Sequence, residues 1–410
     1  MNIGRIARDI SRGEFVALVA SYTAINAAAI DVMLPALPFM GEAFDVANAN
    51  DRSLVLTVFL VGLGLPQLIV GPITDRFGRR APLLIGLAVY TIAAFAALAV
   101  TSFAALLLLR FAQGVGSAAV AVASQAAVRD RYSGSAMAAV MSLILTIFMI
   151  VPILAPFVGQ TILLTGPWEL IFVFMGLLGL SFTAWSYLRL PESLKPEDRR
   201  PLEFWPIVDG FRIVFGTRAS LAYGVAGMFM FGGVLGLVNT SQQIYVDIYG
   251  VGALFPLAFG VMPVAFAVAF FLNSRLVMRI GMRRVAHASM TAFAIITGLW
   301  LLLALTTGLP LWAFLTFVAA AALSQGLAWG NIGALVMEPL GEVAGTASAV
   351  FGSFTTVGAA LLAYGIQQSF DGSTTPVVAA FFLFGLCVMA CFLIAERGKL
   401  YAAPPPRDAT

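Results

Sequence analysis

Two kinds of residue that a bilayer interior rarely holds, one aspartate and one arginine, stand inside long apolar stretches of this chain. Asp31 lies in FVALVASYTAINAAAIDVMLPALPF, residues 15–39, and Arg110 lies in the apolar stretch 103–127. A hydrocarbon core about 30 Å thick takes roughly 20 helical residues at 1.5 Å each, which puts both side chains roughly 10–12 Å below the same surface. At that depth Asp31 cannot reach water. An ionised group there costs about 2.5–3.5 kcal/mol on insertion scales, so the carboxyl reads as a proton or ligand site facing a cavity, or else as a fixed buried pair. The shared layer predicts an ion pair between Asp31 and Arg110, or a polar network extended by Gln113 one turn away. Burial favours the neutral carboxyl and a nearby guanidinium favours the charged one, a balance suited to taking up and releasing a proton.

The elements that hold these groups are membrane spans. Only 10% of the 410 residues are charged and 60% are hydrophobic, against about 25% charged in an ordinary soluble chain. Apolar segments of about 20 residues fall near 15–39, 53–73, 82–101, 103–127, 136–163, 167–188, 219–245, 253–273, 286–306, 311–336, 345–368 and 375–395. They predict an all-α polytopic membrane protein with twelve transmembrane helices. Of the 23 Lys and Arg, all but Arg52 and Arg110 fall in alternate connections or at the chain ends. Positive charge collects on the cytoplasmic side, so both termini are expected there. The first apolar segment is too long for a cleaved leader and no small-residue cleavage site follows it, so it is expected to stay in place.

The net charge of +3 is not gathered on one surface, which argues against a nucleic-acid partner. Cys387 and Cys391 lie four apart in the last apolar segment and read as packing residues, and His287, near Arg284, reads as interfacial. With no metal-ligand cluster, no nucleophile beside a base and no phosphate-cradling glycine loop, neither an enzyme nor a cofactor is expected.

The connection after the second span reads Gly71-Pro72-Ile73-Thr74-Asp75-Arg76-Phe77-Gly78-Arg79-Arg80-Ala81-Pro82, a glycine-containing loop with fixed charges at the membrane boundary. Its pattern, Gly-x-x-x-Asp-Arg-x-Gly-Arg-Arg, resembles the signature between the second and third helices of the major facilitator superfamily. Arg110-Phe111-Ala112-Gln113-Gly114-Val115-Gly116-Ser117-Ala118 resembles that family's R-x-x-Q-G-x-G-A-A motif. In the fifth span, Val151 to Gln160 keeps only Pro156 and Gly159 of the exporter motif. Together with Asp31-x-x-Leu34-Pro35-x-Leu37-Pro38, Ala155-Pro156 and Leu190-Pro191-Glu192-Ser193, the chain is similar to the Bcr/CflA-like branch of the twelve-helix drug:proton antiporters.

An internal echo supports two halves independently of that resemblance. Shifting by 203 positions lays Arg76-Phe77-Gly78 on Arg279-Ile280-Gly281 and Arg80 on Arg283, with Met278 in place of Asp75. The expected layout is a first six-helix half over 1–188, a linker over 189–218, a second half over 219–396, related to the first by a pseudo-twofold axis, and a polar, proline-rich, disordered tail over 397–410. Residues 204–215 of the linker read as an amphipathic stretch lying on the inner surface.

The resemblance implies proton-coupled export of small lipophilic drugs or xenobiotics by alternating access, by a monomer driven by the proton gradient. An endogenous solute moved by export or symport on the same fold is the alternative. It also implies that Asp75 meets the start of the eleventh helix near Gly345 to Ala349 and biases two conformations, with Gly71, Gly78, Arg76, Arg79, Arg80 and Asp130 in the same switch. Pro152, Pro156 and Gly159 interrupt one face of the fifth helix, either to let it rock or as a simple packing kink. Candidate pocket residues are Asn26, Asp31, Arg110, Gln113, Met149, Asn239, Gln243, Gln325 and Trp329, a sparse polar set that suits a neutral or cationic lipophilic substrate.

Overall fold

The computed structural model describes residues 10–199, 204–341 and 344–401. The basic residues at 5, 8, 200 and 407, and residues 402–410 of the expected tail, lie outside them. Among the described residues there are α-helices, short 3-10 turns and one π turn, and no strands. Among these residues ten helices are long and apolar enough to cross a bilayer, eleven with one bent pair counted as a single span, and Gly134–Thr165 is a further long helix. They are α1 Arg12–Ala43, α2 in two pieces Ala49–Gly64 and Gln67–Phe77, α3 Arg80–Ala99, α4 Phe103–Arg131, α5 Gly134–Thr165, α6 Leu170–Arg189, α7 Arg218–Ile248, α8 Gly252–Ile280, α9 Met282–Thr306, α10 Leu311–Met337, α11 Ala344–Gln368 and α12 Thr375–Ala395. Between α6 and α7 runs a linker helix, Phe204–Gly216.

Proline explains the two breaks that matter. In α1 the α-helix ends at Asp31, and a 3-10 turn, Leu34–Ala36, precedes Leu37–Ala43. Pro35 and Pro38 have no N–H to give, so the carbonyls of Asp31 and Leu34 lose their helical donors. In α2 the two pieces meet at 43° next to Pro66. Capping sets the starts of α1 and α4, where the Ser11 and Ser102 hydroxyls accept from the N–H of Glu14 and Ala105.

Small residues bring the first half together. A Cβ on Gly114 would strike the carbonyl of Phe59 in α2, and one on Gly116 would strike the carbonyl of Gly86 in α3, so the glycines of the Arg110 motif let α4 close on both neighbours. At the end of the bundle that carries the linker, here the linker end, Glu14 and Arg189 join α1 to α6 at 2.6 Å, and Tyr22 meets Ser186 at 2.6 Å. The two halves meet along α2 against α11 and α5 against α8.

Three local expectations change. The stretch 71–82 is not a loop: α2 runs on to Phe77 and α3 starts at Arg80, so only Gly78 and Arg79 turn the chain. Polar residues can continue a helix past the apolar region, and the Asp75–Arg79 pair, four apart, supports it. His287 is fully buried rather than interfacial, and residues 397–401 fold back upon it, the Tyr401 N–H donating to His287 Nδ1 at 3.1 Å. Cys387 and Cys391 are free, as packing residues would be.

Candidate functional site

Arg110 has no exposed surface. Its Nη2 donates to the Ala29 carbonyl at 2.8 Å, its Nε to the Val55 carbonyl at 3.1 Å, and its Nη1 to Gln113 Oε1. The guanidinium carbon lies 4.5 Å from the centroid of the Phe59 ring. Charge-assisted bonds to carbonyl dipoles and a cation–π contact offset the cost of burying the charge, and they staple α4 to α1 and α2. Gln113 extends this network as expected, reaching Met175 Sδ at 4.0 Å.

Asp31 does not share in it. The carboxyl is 6% exposed and, among the described residues, makes no ion pair and no hydrogen bond, so the expected Asp31–Arg110 pair is not formed. Depth alone placed the two groups in one layer, whereas direction separates them. Ala29 and Asp31 are two residues apart, about 200° around a helix axis, and Arg110 binds at the former. Asp31 closes the α-helical part of α1, at the break. Beside that break, Gly159 of α5 packs so close that an added Cβ would strike the Val32 carbonyl and crowd Pro35. Pro156 and Gly159 are both buried. Pro152 is half-buried in the same helix, and the side chain of Met149 lies outside the described set. Asn26, on α1, is half-buried with its Oδ1 unpartnered.

Asn239 and Gln243, expected in the pocket, stand instead in a seam between the halves at the end far from the linker. Gln243 Nε2 donates to Asn50 Oδ1 at 2.9 Å, Asn50 Nδ2 to the Phe370 carbonyl at 3.0 Å, and Gln367 Nε2 to Gln243 Oε1 at 2.8 Å. Gln368 Nε2 donates to Asp51 Oδ1 at 2.7 Å, and Asn239 faces Thr57 at 3.4 Å. Both amides sit in the last turns of α7, where the polar α1–α2 connection comes within reach. Gln325 is buried beside Gly233. The amide pairs at 242–243 and 367–368 and the Asn-rich run 48–50 were the signal for this seam; none shows in a single-helix reading.

At the linker end, side-chain hydrogen bonds and ion pairs among the described residues stay within a half. Gly78 takes φ +91°, and the Glu192 carboxylate lies where its Cβ would be, accepting from the N–H of Arg79 at 2.8 Å and of Arg80 at 3.2 Å. Arg79 pairs with Asp75 and, at 2.9 Å, with Asp130, which also accepts from the Ser193 hydroxyl at 2.9 Å. Burial works against the Arg79 charge, but the bonds to Asp130 and Asp75 outweigh it and raise its pKa above the ordinary arginine value. Asp75 is therefore engaged by Arg79 and, among the described residues, makes no hydrogen bond to the start of α11. Arg80 donates to the Tyr187 carbonyl at 2.6 Å, and Arg76 is exposed. Gly71 lies inside α2 with open space around it, so the required glycine of this region is Gly78. Glu192 and Ser193, quoted in the sequence only for their resemblance, prove to anchor the cluster.

A cavity of about 360 Å³ opens between α7, α10 and α11, lined by Met230, Phe231, Trp329, Phe351 and Thr355 among others. Trp329 is the candidate pocket residue that lines it. A second, almost wholly apolar cavity of about 610 Å³ lies between α5, α8 and α10. Among the described residues no cluster of acids, histidines and cysteines could hold a metal.

Helices of this number and length, a buried aspartate and a buried arginine in one half and a cavity between crossing helices fit an integral membrane transporter. The profile of the Major Facilitator Superfamily matches residues 19–363, and the chain belongs to that superfamily, in its Bcr/CflA-like drug-resistance group. The "Bicyclomycin resistance protein homolog" of Haemophilus influenzae is 30% identical over 365 residues, covering 89% of this chain and 90% of that protein. The "Multidrug resistance protein MdtL" of Escherichia coli is 30% identical over 228 residues, 54% of this chain and 56% of that one. Among solved structures, a D-xylose–proton symporter superposes with a TM-score of 0.70 at 16% identity, over 94% of this chain and 98% of that one. The human organic anion transporter MFSD10 gives 0.64 at 20% identity, over 94% and 100%.

Proposed function

We propose that this protein exports small lipophilic compounds from the cytoplasm across the bacterial inner membrane in exchange for protons, as a monomer and without a cofactor. The halves 1–188 and 219–396, joined by the linker 189–218, rock about the α2–α11 and α5–α8 seams. The observation that carries this reading is a buried carboxyl, Asp31, at the break of a crossing helix, with its arginine neighbour committed elsewhere. Such a group is free to change its protonation as access to it changes, which a permanently paired aspartate is not. Arg110 positions α1 around it. The names of the drug-resistance relatives support drug-like cargo.

The linker end is cytoplasmic by its concentration of Lys and Arg. Hydrogen bonds of side-chain amides join the halves at the opposite end, so this conformation faces inward, with the outer path closed.

The test is Asp31→Asn in reconstituted vesicles. Uphill transport driven by a pH gradient is lost, while substrate exchange without a gradient and the melting temperature are retained. If the variant still concentrates substrate against its gradient, Asp31 is not the coupling group.

A further inference from the structure

The cavity between α7, α10 and α11 has two unlike walls. One is aromatic: Phe231 and Trp329 meet edge to face with centroids 5.6 Å apart, and Trp329 stands against Phe266 at 6.4 Å. The other is the stripe of α11 formed by Ser348, Gly352 and Thr355, residues spaced to share one helix face. The hydrogens on that second wall are already used. The Thr355 hydroxyl donates to the Phe351 carbonyl, and the Ser348 hydroxyl points to Met337 Sδ at 3.9 Å. Gln67 of α2 arrives at the same wall. Its Nε2 donates to the Leu63 carbonyl at 3.1 Å, and its Oε1 lies where a side chain on Gly352 would go.

Three oxygens therefore offer lone pairs and hold no spare hydrogen. Among the described lining residues no side chain is charged. The Thr355 and Ser348 hydroxyls have no hydrogen left for a ligand carboxylate, and any full charge would lose its hydration without a counter-ion. A cavity of about 360 Å³ is of the size that takes a small drug-like molecule.

We propose that this cavity binds an uncharged aromatic compound carrying an N–H or O–H on one edge, its ring against Phe231 and Trp329 and its donor edge toward Thr355, Ser348 and Gln67. The proposal rests on the export reading and names its substrate class. It places substrate recognition in the second half, apart from Asp31 in the first.

Three naphthalene probes of matched shape test it by equilibrium binding to the full chain in lipid nanodiscs, with empty discs subtracted. 2-Naphthol, a neutral donor, binds about 5-fold more tightly than 2-methoxynaphthalene, which lacks the donor, and 2-naphthoate binds weakest. Thr355→Val removes the preference for the naphthol, and Trp329→Ala weakens both neutral probes about 10-fold. Gln67→Leu reads the same preference should Thr355→Val melt early. Equal binding of naphthol and ether by the unaltered protein, a preference that survives both acceptor variants, or naphthoate binding tightest overturns the proposal. Vesicle transport of the naphthol with and without a pH gradient is scored separately: gradient-independent transport with the preference intact sinks the export reading and leaves the site standing.

Discussion

The turn between α2 and α3 and the turn between α8 and α9 carry glycines of the same unusual conformation, Gly78 at φ +91° and Gly281 at φ +83°, each beside an arginine that gathers acids. In the first half the gathering is done through the backbone and a side chain together. Glu192 holds the N–H groups of Arg79 and Arg80, and Arg79 reaches Asp75 and Asp130. In the second half it is done by the side chain: Arg283 takes Glu338 at 2.6 Å and Glu396 at 2.9 Å, and Tyr223 donates to Glu396 at 2.6 Å while its hydroxyl meets His287 at 3.2 Å. The same duplicated turn thus ties the ends of α4 and α6 in one half and of α10 and α12 in the other. Repetition preserved the geometry and let the residues drift.

Within the membrane the halves differ more. The first holds Arg110 and Asp31; the second, at that depth, holds amides, hydroxyls and aromatic rings among its described residues. Buried charge demands partners and so stiffens the helices around it, whereas an uncharged wall is free to accept varied cargo. The difference suggests a division of labour, with protons handled in one half and substrate in the other.

The sharpest break of that comparison is Arg110→Ala. The carbonyls of Ala29 and Val55 and the amide of Gln113 lose their donor together, and bonds to a charged group contribute about 1.5–3 kcal/mol each, so at least about 3 kcal/mol of stability should go. Thermal melting in detergent measures it, with Trp329→Ala in the uncharged half shifting the midpoint much less.

Next comes the seam between α5 and α8. Gly159→Leu forces α5 off the α1 break and costs about 1–3 kcal/mol by overpacking. Across the seam, Gly260→Ala meets open space and is neutral or gains up to about 1 kcal/mol of helix propensity. Equal losses at both sites would erase the contrast.

Asn50→Ala removes the hub of the amide seam. Losing about 1 kcal/mol of hydrogen bonding shifts the balance of the two facing states about 5-fold toward outer opening. Distances between spin labels placed on the α1–α2 and α11–α12 connections read that shift. The smallest effect is expected of the turn arginines. Arg79→Ala and Arg283→Ala each remove partly exposed ion pairs worth about 1 kcal/mol or less, and both slow turnover modestly with little change in melting. A much larger effect of Arg79→Ala than of Arg283→Ala would show that the two turns have diverged in role as well as in residues.

The spans were legible because the length of an apolar run is a local property of the chain. The positive-φ turn glycine was legible at Gly78, and the repeat carried it to Gly281. A contact from the turn to Asp130 was legible, with Arg76 or Arg79 as its partner, and Arg79 makes it. The Asp31–Arg110 pair was expected and is not formed, because residue counting yields depth along a helix and says nothing of rotation about it. Asn239 and Gln243 were misplaced for a related reason, because a buried amide on one helix reads the same whether it faces a cavity or another amide across a seam.

Twelve crossings, a buried acid, a buried base and a duplicated turn follow from the order of residues alone, since hydrophobic length, the cost of burying charge and glycine's backbone freedom act within a few turns of chain. Which carbonyls Arg110 would take, that among the described residues Asp31 would be left without an ionic partner, and that the amides would gather at one end were decided only when helices came into contact, within the first half and across the two. Partners distant in sequence are chosen by the direction in which each side chain leaves its helix, and that direction is set by packing.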